Sequence, residues 1–299
     1  MEIILLLQSV SHLHTKTTFR QLTKIIEAML AMTGRVTMLG VSRWSEAGGS
    51  YRTIQRFFGT KILWTQLNFH LFLAHRYTTG EEVAIAGDHT VVTKSGKETH
   101  GLDYFFSSLS NKAVKGLEFF SFSFVNVSRR ESSPMLMEQT IRPKKQKTST
   151  KKRKTKTKRK RGRPKGSKNK NHREIVLPPH LQLIQTHLKS VLAMVGSRIS
   201  IKYLLLDGAF GNNNALQMTV RCGLHLISKL RHDAALYLPY VYEKEKTGPG
   251  GRKKYGEKVK YNQIDPAYLV KTIFEKGIET RIYRSVSYTH LTLPTIYSV

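Results

Sequence analysis

The sequence predicts a mixed α/β layer behind a small all-helical region, and three observations predict it. Apolar residues recur at three- and four-residue spacing before residue 80, and the texture becomes strand-like from Glu82. Two short apolar runs, Val83–Gly87 and Tyr203–Leu206, each end directly on an aspartate. A chain of 299 residues with 39% hydrophobic content can bury a real core and has room for about two domains at roughly 150 residues each.

In order along the chain, Phe19, Leu22, Ile25, Ile26, Met29 and Leu30 set a helical period that Gly34 breaks. The stretches around Val41–Trp44 and Ser50–Phe58 flank Gly48 and Gly49, which reads as helix, glycine turn, helix, with Arg52 and Arg56 four residues apart. This pattern suits a helix-turn-helix that enters DNA, and equally a helical hairpin with a solvated basic face. Next come strands at Val83–Gly87, Tyr104–Leu109 and Leu117–Val127, with Asn111 to Gly116 as a hairpin connection; Phe120, Phe122 and Phe124 alternate with Ser121, Ser123 and Val125. A helix is expected to start near Pro134, to be interrupted, and to resume through Leu181, Ile184, Leu188, Leu192 and Val195. After the strand Tyr203–Leu206, Asn212–Asn214 can cap a helix to about Cys222, and Leu224–Lys229 reads as a further strand.

The charge is uneven. Fifty Lys and Arg against twenty Asp and Glu give +30, the sign expected of a polyanion partner, with nucleic acid foremost. Eighteen of those basic residues lie in residues 142–173, which contain no acid and no residue to bury, so a solvated, disordered basic insert is expected there. Inside it, Arg161, Gly162, Arg163 and Pro164 resemble the core of an AT-hook, whose arginines lie along a narrow minor groove; plain phosphate attraction or a nuclear-import signal are the alternatives. Cys222, the single cysteine, can form no internal disulfide and suits a reducing compartment. The apolar run Ile3–Leu7 is too short to span a membrane.

Two carboxylates at the ends of neighbouring buried strands repel each other unless a cation or a shared proton sits between them. Asp88 and Asp207 are therefore candidate ligands for Mg or Mn, hard cations that assist phosphodiester displacement, although a strand-terminal aspartate can also simply cap a turn. Gly87-Asp88-His89-Thr90, then Leu206-Asp207-Gly208-Ala209-Phe210, then Leu226 to Arg231 resemble successive motifs of the IS4-like DDE transposases over roughly residues 20 to 284. The resemblance implies an RNase H-like catalytic core in residues 81–284, preceded by a helical DNA-binding domain in residues 1–80. It also implies Asp88 and Asp207 as metal ligands, Lys229 and Arg231 presented to DNA, homodimers on transposon ends and target DNA, and a cytoplasmic, in bacteria nucleoid-associated, setting. Arg252, Lys253 and Lys254 stand in a Lys-, Gly- and Pro-rich stretch that fits the insertion such proteins carry, and can grip phosphates.

The family's third acid, a glutamate on a late helix within a Tyr–Arg–Glu spacing, is not found: Arg284 follows Tyr283 directly and no Glu lies beyond Glu279. Residues 285–299 contain no Asp, Glu, Lys or Arg, although 23% of the chain is charged; random placement gives such a run about 2% of the time. That stretch resembles the endings of gene fragments left by assembly artefacts, which implies a truncated transposase that is inactive without its third acid. The alternative function is a non-catalytic, architectural DNA-binding protein acting through the helical region and the basic insert.

Overall fold

The structure, a computed structural model, describes residues 3–44, 49–142, 175–229, 236–241, 255–260, 262–275, 277–288 and 294–298. Its contacts divide the chain into two units, Met1–Ser228 and Lys229–Val299. In the first unit five helices come before any strand: α1 (Ile3–Gln8), α2 (Lys16–Ala31), α3 (Met38–Trp44), α4 (Tyr51–Phe58) and α5 (Trp64–His75). Thr15 starts α2 by accepting from the Thr18 amide, satisfying one of the donors a helix start leaves bare. The period read from the sequence then turns Leu22, Ile25 and Ala28 inward, where they join Val41, Ile54, Phe57 and Leu67 in one buried cluster. Helix α5 is apolar on two sides, giving Leu67 to that cluster and Phe69 and Phe72 to a second one.

The second cluster lies under a six-stranded mixed sheet of order β2-β3-β1-β5-β6, with β4 also paired to β3. Its strands are β1 (Val83–Thr93), β2 (Asp103–Ser107), β3 (Lys112–Asn126), β4 (Glu131–Thr140), β5 (Ile201–Leu206) and β6 (His225–Ser228). Strand β1 is antiparallel to β3 and parallel to β5. Phe120, Phe122 and Phe124 are buried at every second position of β3, as period-two alternation requires. Helices α6 (Pro179–Val195) and α7 (Asn213–Val220) pack against them through Leu181, Ile184, Leu188, Val191, Ala215 and Met218. Asn212 caps α7 by accepting from the Ala215 amide, as its sequence position suggests.

Three expectations are corrected. Residues 131–140 form strand β4, not a helix beginning near Pro134. Pro134 sits beside a register irregularity on a strand paired on one side only, a place where a missing amide costs no ladder bond, and Met135 is buried behind it. Strand β1 does not end at Asp88; it runs on to Thr93, because its pairing with β3 continues through Thr93–Gly116 after the buried half is over. The connection between β2 and β3 is shorter than Asn111–Gly116: the turn closes at Asn111, which takes φ 46, and Lys112 already pairs with Ser107.

In the second unit, β7 (Tyr237–Pro239), β8 (Tyr255–Lys258), β9 (Leu269–Glu275), β10 (Ile278–Tyr288) and β11 (Pro294–Ser298) form a sheet of order β11-β10-β7-β8, with β9 paired to β10. Strands β9 and β10 pair as an antiparallel hairpin, with Gly277 (φ 77) between them.

Candidate functional site

Asp88 and Asp207 are brought together by the parallel pairing of β1 and β5. That ladder pairs Ile85 with Leu204, Ala86 with Leu205 and Gly87 with Leu206. Each aspartate is the next residue of its strand, so both fall at one level, with strands about 5 Å apart. Alternation then sorts the side chains. Val83, Ile85 and Gly87 share the helix-covered face with Phe124 and Phe122, whereas Asp88 and Thr90 point to the other face and are exposed.

Gly87 is required by the packing behind this pair. A Cβ at that position would lie 2.8 Å from Leu206 Cδ2 and 2.9 Å from Phe120 Cζ, closer than real contacts allow. The missing side chain leaves room for the side chains of Leu206, Phe120 and Phe122 to pack over β1 just before Asp88.

The two carboxylates are held differently. Asp207 caps the short helical turn Gly208–Phe210: its Oδ1 accepts from the Ala209 amide at 3.2 Å, and its carbonyl accepts from Ser228 Oγ at 2.7 Å. Among the described residues, Asp88 Oδ1 accepts only from the adjacent His89 amide, at 2.7 Å. Among the described residues neither carboxylate forms an ion pair with Lys, Arg or His within 4.0 Å, and no cluster of three or more His, Cys, Asp or Glu could hold a metal ion. The described residues thus offer two carboxylates with no described cation paired to them, a pair of hard oxygen donors of the kind that suits a hard divalent cation.

His89, on the helix-covered face, is the residue that the sequence reading quoted but gave no role. Its ring stacks on Phe210 (centroids 5.7 Å apart, planes 6° apart) and meets Phe120 edge-on at 4.8 Å. Burial pushes its pKa down, against the pull of the Glu118, Asp88 and Asp207 carboxylates, and His180 adds to the lowering. The nearest of these, Glu118 Oε2, is 3.8 Å from Nδ1, beyond hydrogen-bond reach. Only the register of β1 against the turn after β5 reveals this contact; the signal in the sequence was no more than two aromatic rings near the two aspartates.

Arg52 and Arg56 are exposed on α4, opposite the buried Ile54 and Phe57, so the helix does present a basic face. Lys229 is exposed, in the second unit. Arg161, Gly162, Arg163, Pro164, Arg231, Arg252, Lys253 and Lys254 lie outside the described residues. No described helix is long and apolar enough to cross a membrane.

Among curated proteins none matches the chain. One protein family does: a family described as DDE superfamily endonuclease matches residues 9–289, which takes in helices α2 to α5, both aspartates and the strands of the second unit up to Tyr288.

Proposed function

The chain belongs to the DDE superfamily endonucleases, and from that premise we propose that it is a DNA transposase of the IS4-like DDE type. Asp88 and Asp207 are the first two acids of its centre and hold Mg or Mn. The observation that carries this reading is their placement: two exposed carboxylates, next after paired residues of neighbouring parallel strands, with no described cation to neutralise them. When bound, the ion supplies Lewis acidity to phosphodiester displacement. The chain's own contribution is to orient donors. The Ala209 amide holds one Asp207 oxygen, and the His89 amide holds one of Asp88, while both residues are exposed.

In the proposed reaction a water attacks the phosphorus at a transposon end and the 3′-oxygen departs with a proton as a hydroxyl. That hydroxyl then attacks a target phosphodiester, expelling a second 3′-oxygen. Binding of double-stranded DNA draws on Arg52 and Arg56, on Lys229 and Arg231, on Arg252, Lys253 and Lys254, and on the basic stretch around Arg161–Pro164. Two copies acting together on paired ends complete the reading.

Because no described residue supplies a third carboxylate, residues 1–299 alone are expected to bind DNA well and to cleave it poorly. Nicking of supercoiled plasmid carrying candidate ends, with Mg or Mn against EDTA, tests this. Metal-dependent nicking that disappears in Asp88→Asn and Asp207→Asn supports the transposase centre and would reveal another third ligand. DNA binding without nicking, together with no Mn2+ binding that depends on Asp88, favours the second reading, a non-catalytic DNA-binding protein, to which the exposed basic face of α4 gives its own support.

A further inference from the structure

The two aspartates lie just beyond the point where the β1–β5 ladder stops. Its last pair is Gly87–Leu206: the ladder sets the two backbones side by side, but Asp88 and Asp207 are not themselves a pair and it does not orient their side chains. What bridges the two segments is a pair of rings on the reverse face. His89 follows Asp88 directly and points to the opposite side of the sheet, where it stacks on Phe210 with centroids 5.7 Å apart and planes 6° apart. Phe210 is tied to the second aspartate, its amide donating to the Asp207 carbonyl at 3.1 Å within the turn that the Asp207 carboxylate caps. Phe120 closes the pair, edge-on to His89 at 4.8 Å and 6.3 Å from Phe210. Packing holds the imidazole here, for Nδ1 has no hydrogen-bond partner among the described residues.

We propose that His89 and Phe210 are positioning residues, a ring-on-ring brace that sets the gap between the Asp88 and Asp207 carboxylates and so their joint affinity for a divalent cation. The proposal rests on the reading that these two carboxylates share an ion. It predicts that the brace works through its aromatic faces and not through the imidazole nitrogens.

The test is Mn2+ binding to the full chain, followed by loss of the free-ion electron paramagnetic resonance signal, with thermal unfolding recorded alongside. His89→Ala and Phe210→Ala are each expected to weaken Mn2+ binding by about 10- to 100-fold, the range for residues that orient metal ligands. The double variant is expected to bind within about twofold of the weaker single, because one brace can be lost only once. His89→Phe restores the stack and is expected to recover binding to within about threefold of the parent, a rescue that a role for the ring nitrogens could not give. His89→Leu keeps bulk without a ring and is expected to bind as weakly as the alanine variant, which covers the case in which His89→Ala does not fold. A purely structural role would lower the unfolding temperature of these variants while leaving Mn2+ affinity at the parent value, and that result overturns the brace. Asp88→Asn separates the two levels of the argument: parent binding that is absent, or indifferent to Asp88→Asn, overturns the metal-site reading and the brace with it. Asp88-dependent binding that ignores both alanine variants overturns the brace alone.

Discussion

The two faces of strand β1 carry opposite kinds of residue at a spacing of one. On one face Ile85 and Gly87 are buried against Phe122, Phe124, Leu204 and Leu206. On the other, Asp88, Thr90 and Val92 are exposed. Ala84, on the Asp88 face, is buried too, so the faces diverge only from Ile85 onward, where the strand buries Ile85 and Gly87 and displays charge at Asp88. The comparison teaches that the carboxylates can be costly to each other without endangering the fold, since the burial that holds them in place is on the far side of the backbone. His89 is the exception that joins the faces, an odd position whose ring lies behind both charges.

The sharpest way to break the comparison is to remove one ring from the helix-covered face. Phe122 is fully buried and meets Phe120 at 4.9 Å. Phe122→Ala is expected to cost about 3–5 kcal/mol of unfolding free energy, from lost transfer and a cavity. Ser121→Ala, its neighbour on the opposite face, is expected to stay within about 0.5 kcal/mol. Urea unfolding of the two variants checks both, and equal losses would mean that the faces are not energetically distinct.

A smaller loss is expected from adding an atom instead of removing several. In Gly87→Ala the new methyl has Leu206, Phe120 and Phe122 within 3.1 Å. Overpacking of this kind typically costs about 1–3 kcal/mol. Because the atoms it displaces include the Phe120 ring that meets His89 and the Leu206 side chain next to Asp207, the variant is expected also to loosen Mn2+ binding. A Gly87→Ala protein as stable as the parent would show that the strands can part without penalty.

How much of this was legible beforehand depends on whether a residue's role is local. The alternation of Phe120, Phe122 and Phe124 announced a strand with one buried face, and the apolar runs ending on Asp88 and Asp207 announced two displayed carboxylates; both signals are contained in a few neighbouring residues. Pro134 misled because proline suits the first turn of a helix, and only the neighbouring strand shows that it lies in β4, where no ladder bond is needed from it. That Asp88 and Asp207 are level with each other requires the parallel register, and the His89–Phe210 stack requires both that register and the turn geometry, so neither could be read from spacing. No local pattern marked a third acid, and none of the described residues completes a three-ligand cluster.

The smallest expected effect is the most informative about the outer face. Asp88→Asn and Asp207→Asn keep the oxygen that accepts from the His89 amide in the first case and from the Ala209 amide in the second, so the caps survive. What disappears is repulsion between two exposed charges, worth roughly 1 kcal/mol or less in water even at about 4 Å. Without divalent metal each variant is thus expected to be as stable as the parent or slightly more stable, by at most about 1 kcal/mol. With Mn2+ present the order reverses, because only the parent gains binding free energy in its folded state. Unfolding temperatures measured with and without Mn2+ decide it. A loss of more than about 1 kcal/mol in metal-free Asp88→Asn would make that carboxylate a structural cap, and the helix-covered face could no longer be credited with holding β1 alone.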